Sequence, residues 1–510
     1  MFFTAKLLFV SIWWCSNCTL AFIPLCSVMK DNSSLKVSHL LLTPKLNLMQ
    51  PPMAPASFNQ ALKGINSKDA MYFLLEMAEK TKSDTFQLLK TPFLKLYVLG
   101  DARTARDILE DETTSKIQSL YKTYNYITGA RTLLTTDDGA DFNTLRQALI
   151  KPVFHQPAEV QRMNESFEEY AKDWIDNKLH SLAETGQLFD PTEEMRCLFF
   201  CAYMNSAFEY KADAEDYHTW GRNLDKALPE LILKRGVSPL RKYYDFFSPK
   251  NRLARKASKD LQSFAEEILH SYRNKADTNK SKATTIIKVI SDKSGPYKSV
   301  LYRVAQIVDL TIASYITSSA VVSSAMIMIA KHPDIALKLQ KELVEKASAT
   351  PTSPRNHQRP SNTPYLRNIM KESTRLFSPG SSMNSLRNTG KDFSIRDTKS
   401  NNIRMVIPKG SAVLVPSVLM CRNSDTFHDP NAFVPERWDN ANTDMEDSLI
   451  LFSLGTRRCP GQPLASVQTY RILELILSKY AFHIESEGNF QFNGLMSSFY
   501  GARLYAKRID

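Results

Sequence analysis

The feature that most constrains the fold is an uninterrupted run, residues 301–332, that contains neither glycine nor proline. Its side chains are apolar on nearly all sides when the run is drawn as a helix. Such a helix is either buried inside a large core or spans a membrane. The length of the run, and the serines and threonines in its middle, favour a central core helix that also lines a cavity.

Composition excludes several classes of protein. The chain has 510 residues, of which 43% are hydrophobic and 23% are charged, and this argues against a disordered, collagenous or polytopic membrane protein. Glycine is scarce, and the sequence contains neither a GxGxxG that opens a helix nor a GxxxxGK[ST]. A nucleotide-binding domain is therefore not expected.

The net charge of +12 allows several kinds of partner. The basic residues are dispersed and lack the interleaved aromatic residues of a nucleic-acid groove. A solvated basic surface is the simplest interpretation. A membrane face or an acidic electron donor comes next, and no nucleic-acid partner is expected.

The N-terminal segment has two interpretations. Residues 7–29 carry no charge and are long enough to cross a bilayer, which takes about 20 residues. As a signal anchor, this segment would keep the lysines that follow it in the cytoplasm, at the endoplasmic reticulum. As a cleaved targeting segment, it has a basic start at Lys6 and small residues at Thr19 and Ala21.

The residues after Ala21 keep the targeting alternative open. They are poor in acids and rich in serine and lysine, as transit peptides are. The letters LAFIP also resemble the plastid-import junction of algae with secondary plastids, which would imply a bipartite plastid signal. We divide the chain into an anchor or targeting segment, 1–29, a linker or transit region, 30–56, and one catalytic domain, 57–510.

A cysteine near the carboxyl end lies in a segment whose chemistry is specific. In LFSLGTRRCPGQPLASVQ, Phe452, Gly455, Arg457, Cys459 and Gly461 form the spacing FxxGxRxCxG. The glycines allow a tight turn and a close approach of the backbone to a flat ligand. The cysteine precedes a predicted helix, whose N-terminus favours a thiolate. Arg457 is placed to bind an anionic group.

This segment resembles the haem-binding loop of the cytochrome P450 family. The resemblance implies a mainly α fold with a small β portion, and a haem buried between the long central helix and the loop that carries the ligand Cys459. Two further segments match the family, KESTRLF and FVPERW. They imply a buried ion-pair network of Glu372, Arg375 and Arg437, with a structural role.

The long central helix matches the family less well. Thr317 occupies the position of the family's oxygen-activating threonine, and Ala313 also matches. Ser314 replaces a glycine, and Ile316 replaces the acid that normally relays protons. Ser314, Ser318 or water would have to compensate, or the enzyme would use an already reduced oxygen substrate. Alternatively, the Thr317 hydroxyl simply bonds back to a carbonyl one turn earlier.

Two more arginines match the family by position alone. GADFNTLRQ resembles the family's WxxxR helix, with Phe142 in place of the tryptophan and Arg146 matching. Arg387 stands where the family has another arginine for the haem propionates. Both are candidate cofactor-binding residues, together with Phe452, Gly455, Arg457 and Gly461, and both could equally be surface arginines.

The resemblance implies a monooxygenase with haem b as its cofactor. Its partners would be dioxygen, a small apolar organic substrate and a separate electron donor, either an NADPH reductase or a ferredoxin, because no flavin or iron–sulfur motif is present. A membrane surface is a further expected partner. Two alternatives remain: a haem-thiolate hydroperoxide isomerase or lyase, which needs no donor, and a non-catalytic haem-binding protein.

Overall fold

The computed structural model describes residues 50–92, 94–234, 247–276, 284–348, 363–396 and 402–509. The predicted N-terminal segment, 1–29, and most of the predicted linker, 30–56, lie outside the described residues. Within them the chain is mainly helical with a small β portion, so the predicted fold class is confirmed.

Helices occupy most of the described chain, and several are continued by short 3₁₀ or π turns. The α-helices are α1 (Phe58–Ile65), α2 (Ala70–Thr81), α3 (Ala102–Glu110), α4 (Gln118–Tyr121), α5 (Asn125–Thr128), α6 (Ala140–Leu149), α7 (Pro157–Trp174), α8 (His180–Thr185), α9 (Pro191–Phe208), α10 (Ala214–Leu228), α11 (Pro249–Ala276), α12 (Ile286–Ser291), α13 (Val300–Lys331), α14 (Pro333–Ser348), α15 (Pro364–Leu376), α16 (Ser417–Cys421), α17 (Thr443–Asp447) and α18 (Gln462–Leu477).

Strands form one larger sheet and three two-stranded ribbons. They are β1 (Phe86–Lys90), β2 (Lys95–Val98), β3 (Ser115–Lys116), β4 (Ser385–Asn388), β5 (Phe393–Arg396), β6 (Ile403–Ile407), β7 (Ala412–Val415), β8 (Tyr480–Ser486), β9 (Asn489–Phe492), β10 (Ser497–Tyr500) and β11 (Arg503–Arg508). The five-stranded sheet has the order β1-β2-β7-β4-β3, and the ribbons pair β5 with β6, β8 with β11 and β9 with β10. The larger sheet therefore joins the amino-terminal strands to strands almost 300 residues later.

Helix α13 lies at the centre of the molecule, and it coincides with the long apolar run seen in the sequence. Ser299 caps its start by accepting a hydrogen bond from the Tyr302 amide, and the helix then runs for 32 residues. It packs against α9, α11, α15 and α18, and its side chains are mostly buried. Among the described helices it alone is long and apolar enough to cross a membrane, but most of that stretch is buried in the protein. The prediction of a core helix is confirmed.

Candidate active site

The segment that carries Cys459 is a tight loop between Leu451 and α18. Ser453 and Gly455 both have positive φ, +55° and +66°. A Cβ atom on Gly455 would lie 2.3 Å from the carbonyl oxygen of Leu109, so only glycine fits this position without a shift. The Cys459 amide donates to the Phe452 carbonyl at 2.8 Å, which closes the loop. Gly455 therefore sets the turn of this loop, and the hydrogen bond between Cys459 and Phe452 closes it.

The Cys459 side chain is accessible to solvent, unlike the buried Cys201 and Cys421. Protein nevertheless surrounds its sulfur closely enough that burial raises the pKa of the thiol. The Gly461 and Gln462 amides and two arginines oppose this increase in the pKa. The Cys459 sulfur is therefore both accessible and partly desolvated.

Gly461 contributes to the site by its size. Its φ is negative, −78°, so the turn itself does not require glycine. A Cβ atom placed there would lie 3.9 Å from the Cys459 sulfur, which is an ordinary contact. The residue leaves the backbone close to the sulfur, as the sequence analysis expected, but it does not supply the left-handed turn.

Arg457 is held by the loop that precedes α6, residues 129–139, which we call the clasp. Its Nε donates to Asp138 Oδ1 at 2.6 Å, and its Nη2 donates to the Thr136 carbonyl at 2.7 Å. Its guanidinium lies 3.4 Å from the centroid of the Phe142 ring. The Arg457 side chain is 9% exposed and that of Asp138 is 30% exposed, so water reaches the ion pair from the Asp138 side. Arg457 thus fixes the cysteine loop to the clasp.

A buried lysine lies beside this arginine. Lys116 pairs with Arg387 in the β3–β4 ladder, and both side chains are buried. Burial lowers the pKa of Lys116 well below its ordinary value, and the positive charges of Arg457 and Arg387 lower it further. Its Nζ donates to the Leu134 carbonyl and lies 3.6 Å from the centroid of the Tyr121 ring. Lys116, Arg387 and Arg457 therefore lie close enough for their charges to interact, with Asp138 and Asp309 as opposing charges.

Arg146 lies on the other side of the cysteine loop. Its Nη2 donates to the Arg458 carbonyl at 2.6 Å, and the guanidinium is half-buried. Its pKa is lowered by burial and raised by the nearby Cys459. The structure therefore brings Arg146, Arg387 and Arg457 to the surroundings of the cysteine loop, as the sequence analysis placed them.

The clasp is tied to the central helix by two buried side chains. The Leu133 amide donates to Gln306 Oε1 at 3.0 Å, and the Leu134 amide donates to Asp309 Oδ2 at 3.4 Å. Burial raises the pKa of Asp309 to about 6, although the Leu134 amide and the charge of Lys116 oppose this. The cations near the cysteine are thereby coupled to α13 through the clasp.

The three residues expected to form an ion-pair network are in direct contact. Arg375 donates from Nε and Nη2 to the two carboxylate oxygens of Glu372, both at 2.8 Å, and Arg437 donates to Glu372 Oε1 at 3.0 Å. The Trp438 indole and the Val434 amide also donate to Glu372, each at 2.9 Å. Glu372 and Arg375 are fully buried, and the network joins α15 to the segment that precedes α17.

Helix α13 exposes one narrow stripe in its middle. Leu310, Ala313, Ser314, Thr317 and Val321 are accessible, whereas the residues between them are buried. Positions three or four apart share one face of a helix, so these residues form a continuous surface. The Thr317 hydroxyl donates to the Ala313 carbonyl at 3.0 Å, which is the back-bond that the sequence analysis held as the alternative. Ile316 is buried on another face.

The sequence analysis assigns no role to Lys116, Asp138 or Trp438. Lys116 and Asp138 lie in loops and short strands without periodicity, so no sequence pattern marks them. Trp438 follows Arg437 directly in the FVPERW segment, and its position beside a predicted network residue was the available signal.

Comparison with known proteins identifies relatives of this site and fold. The family model described as Cytochrome P450 matches residues 50–497. Cyclooctat-9-en-7-ol 5-monooxygenase of Streptomyces melanosporofaciens is 23% identical over 351 residues, 68% of this chain and 72% of the relative. Cytochrome P450 3A7 of Homo sapiens is 31% identical over 210 residues, 40% of this chain and 38% of the relative. Cytochrome P450 monooxygenase astB of Talaromyces wortmannii is 28% identical over 226 residues, 43% of this chain and 45% of the relative. The chain thus spans less than half of the length of the last two.

Proposed function

Because the chain belongs to the cytochrome P450 family of oxidoreductases, we propose that it binds haem b through Cys459 and inserts one atom of dioxygen into an apolar organic substrate. The single observation that carries this proposal is the accessible, desolvated sulfur of Cys459 on a loop held by Gly455 and Arg457. A haem with a thiolate ligand supplies dioxygen activation and oxygen insertion.

Four groups favour the thiolate form of Cys459 that such a ligand requires. The Gly461 and Gln462 amides and the charges of Arg146 and Arg458 all lower the pKa of the thiol, against the effect of burial. The donor set is therefore suited to an anionic sulfur. The thiol proton would be released when a metal ion binds.

The cations of the pocket are suited to the carboxylates of a porphyrin. Among the described residues, Asp138 and Asp309 are the acids whose charges act most on Lys116, so Lys116, Arg387 and Arg457 outnumber these acids by one. Propionates would accept charge-assisted hydrogen bonds from these basic side chains. We propose Arg387, Arg457 and Lys116 as propionate partners, with Arg146 next to the sulfur and Phe452 packed near the ring.

The substrate would lie against the accessible stripe of α13. Leu310, Ala313 and Val321 make most of this stripe apolar, with hydroxyls only at Ser314 and Thr317. Apolar walls with a few polar groups favour an apolar substrate that is oriented by one or two hydrogen bonds. The Thr317 hydroxyl would hold a proton at the oxygen-binding side of the cavity.

Electrons would come from a separate protein. Arg458 is exposed, and Arg146, which donates to the Arg458 carbonyl, is half-buried. A cationic surface of this kind attracts an acidic donor such as a reductase or a ferredoxin. We propose that the donor binds here, on the side of the molecule that carries Cys459.

We further propose that residues 1–29 associate the chain with a membrane, at the endoplasmic reticulum or, with a bipartite signal, at the plastid. The full chain should stay in the membrane fraction after an alkaline carbonate wash, and a chain without residues 1–29 should not. A soluble, shortened mature protein in the plastid fraction would select the plastid alternative.

The carbon monoxide difference spectrum of the reduced protein tests the haem ligand. We expect the long-wavelength Soret band of a thiolate ligand, and we expect Cys459→Ser to lose it. Cys197→Ser, which changes a cysteine on α9 away from the loop, is the matched control and should keep the band. An unchanged band in Cys459→Ser would contradict the proposal.

The hydroperoxide isomerase or lyase is the second candidate, and Ile316 favours it. An apolar residue at the position of the family's acid removes the usual proton donor, which an isomerase does not need. Product formation that depends on dioxygen and an electron donor would select the monooxygenase. Consumption of a fatty hydroperoxide without a donor would select the isomerase, and haem binding without any turnover would indicate a non-catalytic protein.

A further inference from the structure

A second, polar cavity of about 150 Å³ lies behind the central helix. It is bounded by α9, α10, α13 and the tip of the β9–β10 hairpin, and it is partly open to solvent. Its lining includes Glu193 and Arg196 of α9, Asp225 of α10, and Tyr315 and Ile316 of α13. We call this cavity the rear chamber. It therefore meets α13 at the residue that replaces the family's acid.

Most charged groups of the rear chamber are paired with each other. Arg196 donates from Nη1 to Glu193 Oε1 at 2.8 Å, and the Tyr217 hydroxyl donates to Glu193 Oε2 at 2.6 Å. Arg196 also donates from Nη2 to Ser498 Oγ at 2.9 Å and to the Tyr500 hydroxyl at 3.2 Å. Both carboxylate oxygens of Glu193 thus accept hydrogen bonds.

Asp225 differs from Glu193. Within the part of the chain that the structure describes, its carboxylate accepts no hydrogen bond and forms no ion pair, and the side chain is accessible. Burial in the chamber raises the pKa of Asp225, the charge of Arg196 lowers it, and the charge of Glu193 raises it. The other titratable groups that line the chamber are Tyr315 on α13 and Tyr217, His218 and Arg222 on α10. Asp225 is therefore an acid that can hold a proton and exchange it with water.

Residues with hydroxyl groups continue around α13 from the chamber to the accessible stripe, where the Ser314 hydroxyl donates to the Thr311 carbonyl at 2.8 Å and the Thr317 hydroxyl donates to the Ala313 carbonyl at 3.0 Å. Tyr315 and Ser318 are three residues apart, Ser318 and Ser314 are four apart, and Ser314 and Thr317 are three apart. Residues at these spacings are neighbours on a helix surface. Tyr315 lines the rear chamber, whereas Ser314 and Thr317 lie on the accessible stripe. We call these four residues the hydroxyl band.

The opposite way around the helix is apolar. From Ile316, the neighbours toward the accessible stripe are Ala313, three residues before it, and Ala320, four residues after it. Neither methyl group can carry a proton. The hydroxyl band is therefore the polar surface of α13 between the rear chamber and the accessible stripe.

We propose that Asp225 supplies protons to the cavity through the hydroxyl band, in place of the acid that Ile316 has replaced. This inference rests on the proposed monooxygenase function. The Asp225 carboxyl group gives its proton to the band, becomes a carboxylate, and takes another proton from water at the mouth of the chamber. Asp225 does not touch the substrate, so it is a positioning residue for proton supply and not a catalytic residue.

The test measures coupling, the product formed per NADPH oxidised, in the haem-loaded full chain. In the wild type, coupling should fall as pH rises through the pKa of Asp225, because the carboxyl group donates only when protonated. In Asp225→Asn, coupling should fall by roughly tenfold, less than the 10²–10⁴-fold that a positioned acid contributes, because water replaces part of the donor. The pH dependence should flatten as well.

Three variants support the interpretation of that result. Asp225→Glu should restore coupling and its pH dependence, and Ile316→Asp in the Asp225→Asn chain should restore coupling by returning an acid to the chamber. Tyr315→Phe removes the hydroxyl and keeps the ring, and it should lower coupling. It provides the test of the hydroxyl band if Asp225→Asn folds poorly. Asp260→Asn, an exposed position on α11, is the matched control and should leave coupling unchanged.

A second readout does not depend on turnover. Infrared difference spectra of the haem-loaded chain, from about pH 3 to about pH 8, should show a carboxyl band that titrates above the ordinary value of about 3.9 for aspartate and that disappears in Asp225→Asn. Absence of that band, or unchanged coupling and pH profile in Asp225→Asn, overturns the inference. A wild type that forms no product contradicts the proposed function instead, and the infrared titration still decides whether Asp225 holds the proton.

Discussion

At the scale of single residues, Glu372 is the carboxylate with the greatest consequence for stability. It accepts hydrogen bonds from Arg375, Arg437 and Trp438 in a fully buried setting. Glu372→Gln removes the negative charge and leaves the buried Arg375 uncompensated. We therefore expect the free energy of unfolding to fall by about 3–5 kcal/mol, measured by denaturant titration.

The control for this prediction is Trp438→Phe, which removes one donor and keeps the ring. It should lower the free energy of unfolding by only about 1.5–3 kcal/mol, the contribution of one hydrogen bond to a charged group. Equal losses in the two variants would show that packing at Trp438, and not the charge of Glu372, stabilises this region.

Asp309 makes stability depend on pH. Its pKa in the fold, about 6, lies above the value of about 3.9 expected in the unfolded chain, so the native state binds the proton more tightly. The free energy of unfolding should therefore fall as pH rises from about 4 to about 6. Asp309→Asn keeps an oxygen acceptor for the Leu134 amide without the charge. It should equal the wild type below about pH 4 and exceed it by up to about 3 kcal/mol above about pH 6, measured by thermal unfolding.

The matched control for Asp309 is again Asp260→Asn on the exposed face of α11. It should leave the slope of stability against pH unchanged between about pH 4 and about pH 6. If the free energy of unfolding of Asp309→Asn still falls between about pH 4 and about pH 6, a group other than Asp309 binds the proton in the native state.

Local spacing explains which residues could be predicted. Glu372 and Arg375 are one helical turn apart, and Cys459 lies within ten residues of its supporting glycines, so short motifs identify them. Lys116 reaches the same region through a β-ladder with Arg387, which lies more than 270 residues later. No local pattern encodes that pairing, and a buried lysine among arginines runs against the ordinary preference of charges for water.

At the scale of elements, the cysteine loop depends on its two glycines in different ways. Gly455→Ala places a methyl group 2.3 Å from the Leu109 carbonyl on a backbone of positive φ, so the loop must shift. Gly461→Ala meets only the Cys459 sulfur, at 3.9 Å, on a backbone that any residue adopts. We expect Gly455→Ala to lower haem content by tenfold or so and Gly461→Ala by less than about twofold, because positive φ costs other residues of order 1–3 kcal/mol.

Haem content per protein, from the pyridine haemochrome spectrum, is the measurement for these variants. If Gly455→Ala and Gly461→Ala lose similar amounts of haem, the space beside the Cys459 sulfur matters as much as the positive-φ turn at Gly455. Gly410→Ala, at a positive-φ turn with open space around its Cβ position, is the control for strain away from the site.

Helices and strands could be predicted from the sequence where their apolar residues follow a clear pattern. The helix predicted over residues 301–332 is α13. No local pattern predicts β8 and β11, which pair residues 17 to 28 apart in the sequence, or the two-residue strand β3. These elements depend on pairing between distant segments, which period-2 patterns of four to seven residues do not specify.

At the scale of the whole molecule, the boundary of the folded domain can be set more sharply than composition allows. The predicted boundary at residue 57 follows the prolines, but the segment before it already contacts the larger sheet. The Gln87 amide donates to the Pro52 carbonyl at 2.8 Å, and the Ala54 amide donates to the Gln87 carbonyl at 2.9 Å. This segment covers β1, the edge strand of the five-stranded sheet. We therefore propose that the domain begins near residue 50.

Two truncated chains test this boundary. A chain that begins at residue 50 should fold, bind haem and unfold with the same free energy as the full chain, because every described contact of β1 is kept. A chain that begins at residue 57 loses two backbone hydrogen bonds and the burial of Ala54, which should cost about 2–3 kcal/mol. It also exposes an edge strand, so it should aggregate at lower denaturant concentration. If the two chains unfold with equal free energy and equal light scattering, residues 50–56 do not contribute to the folded domain, and its boundary lies at residue 57.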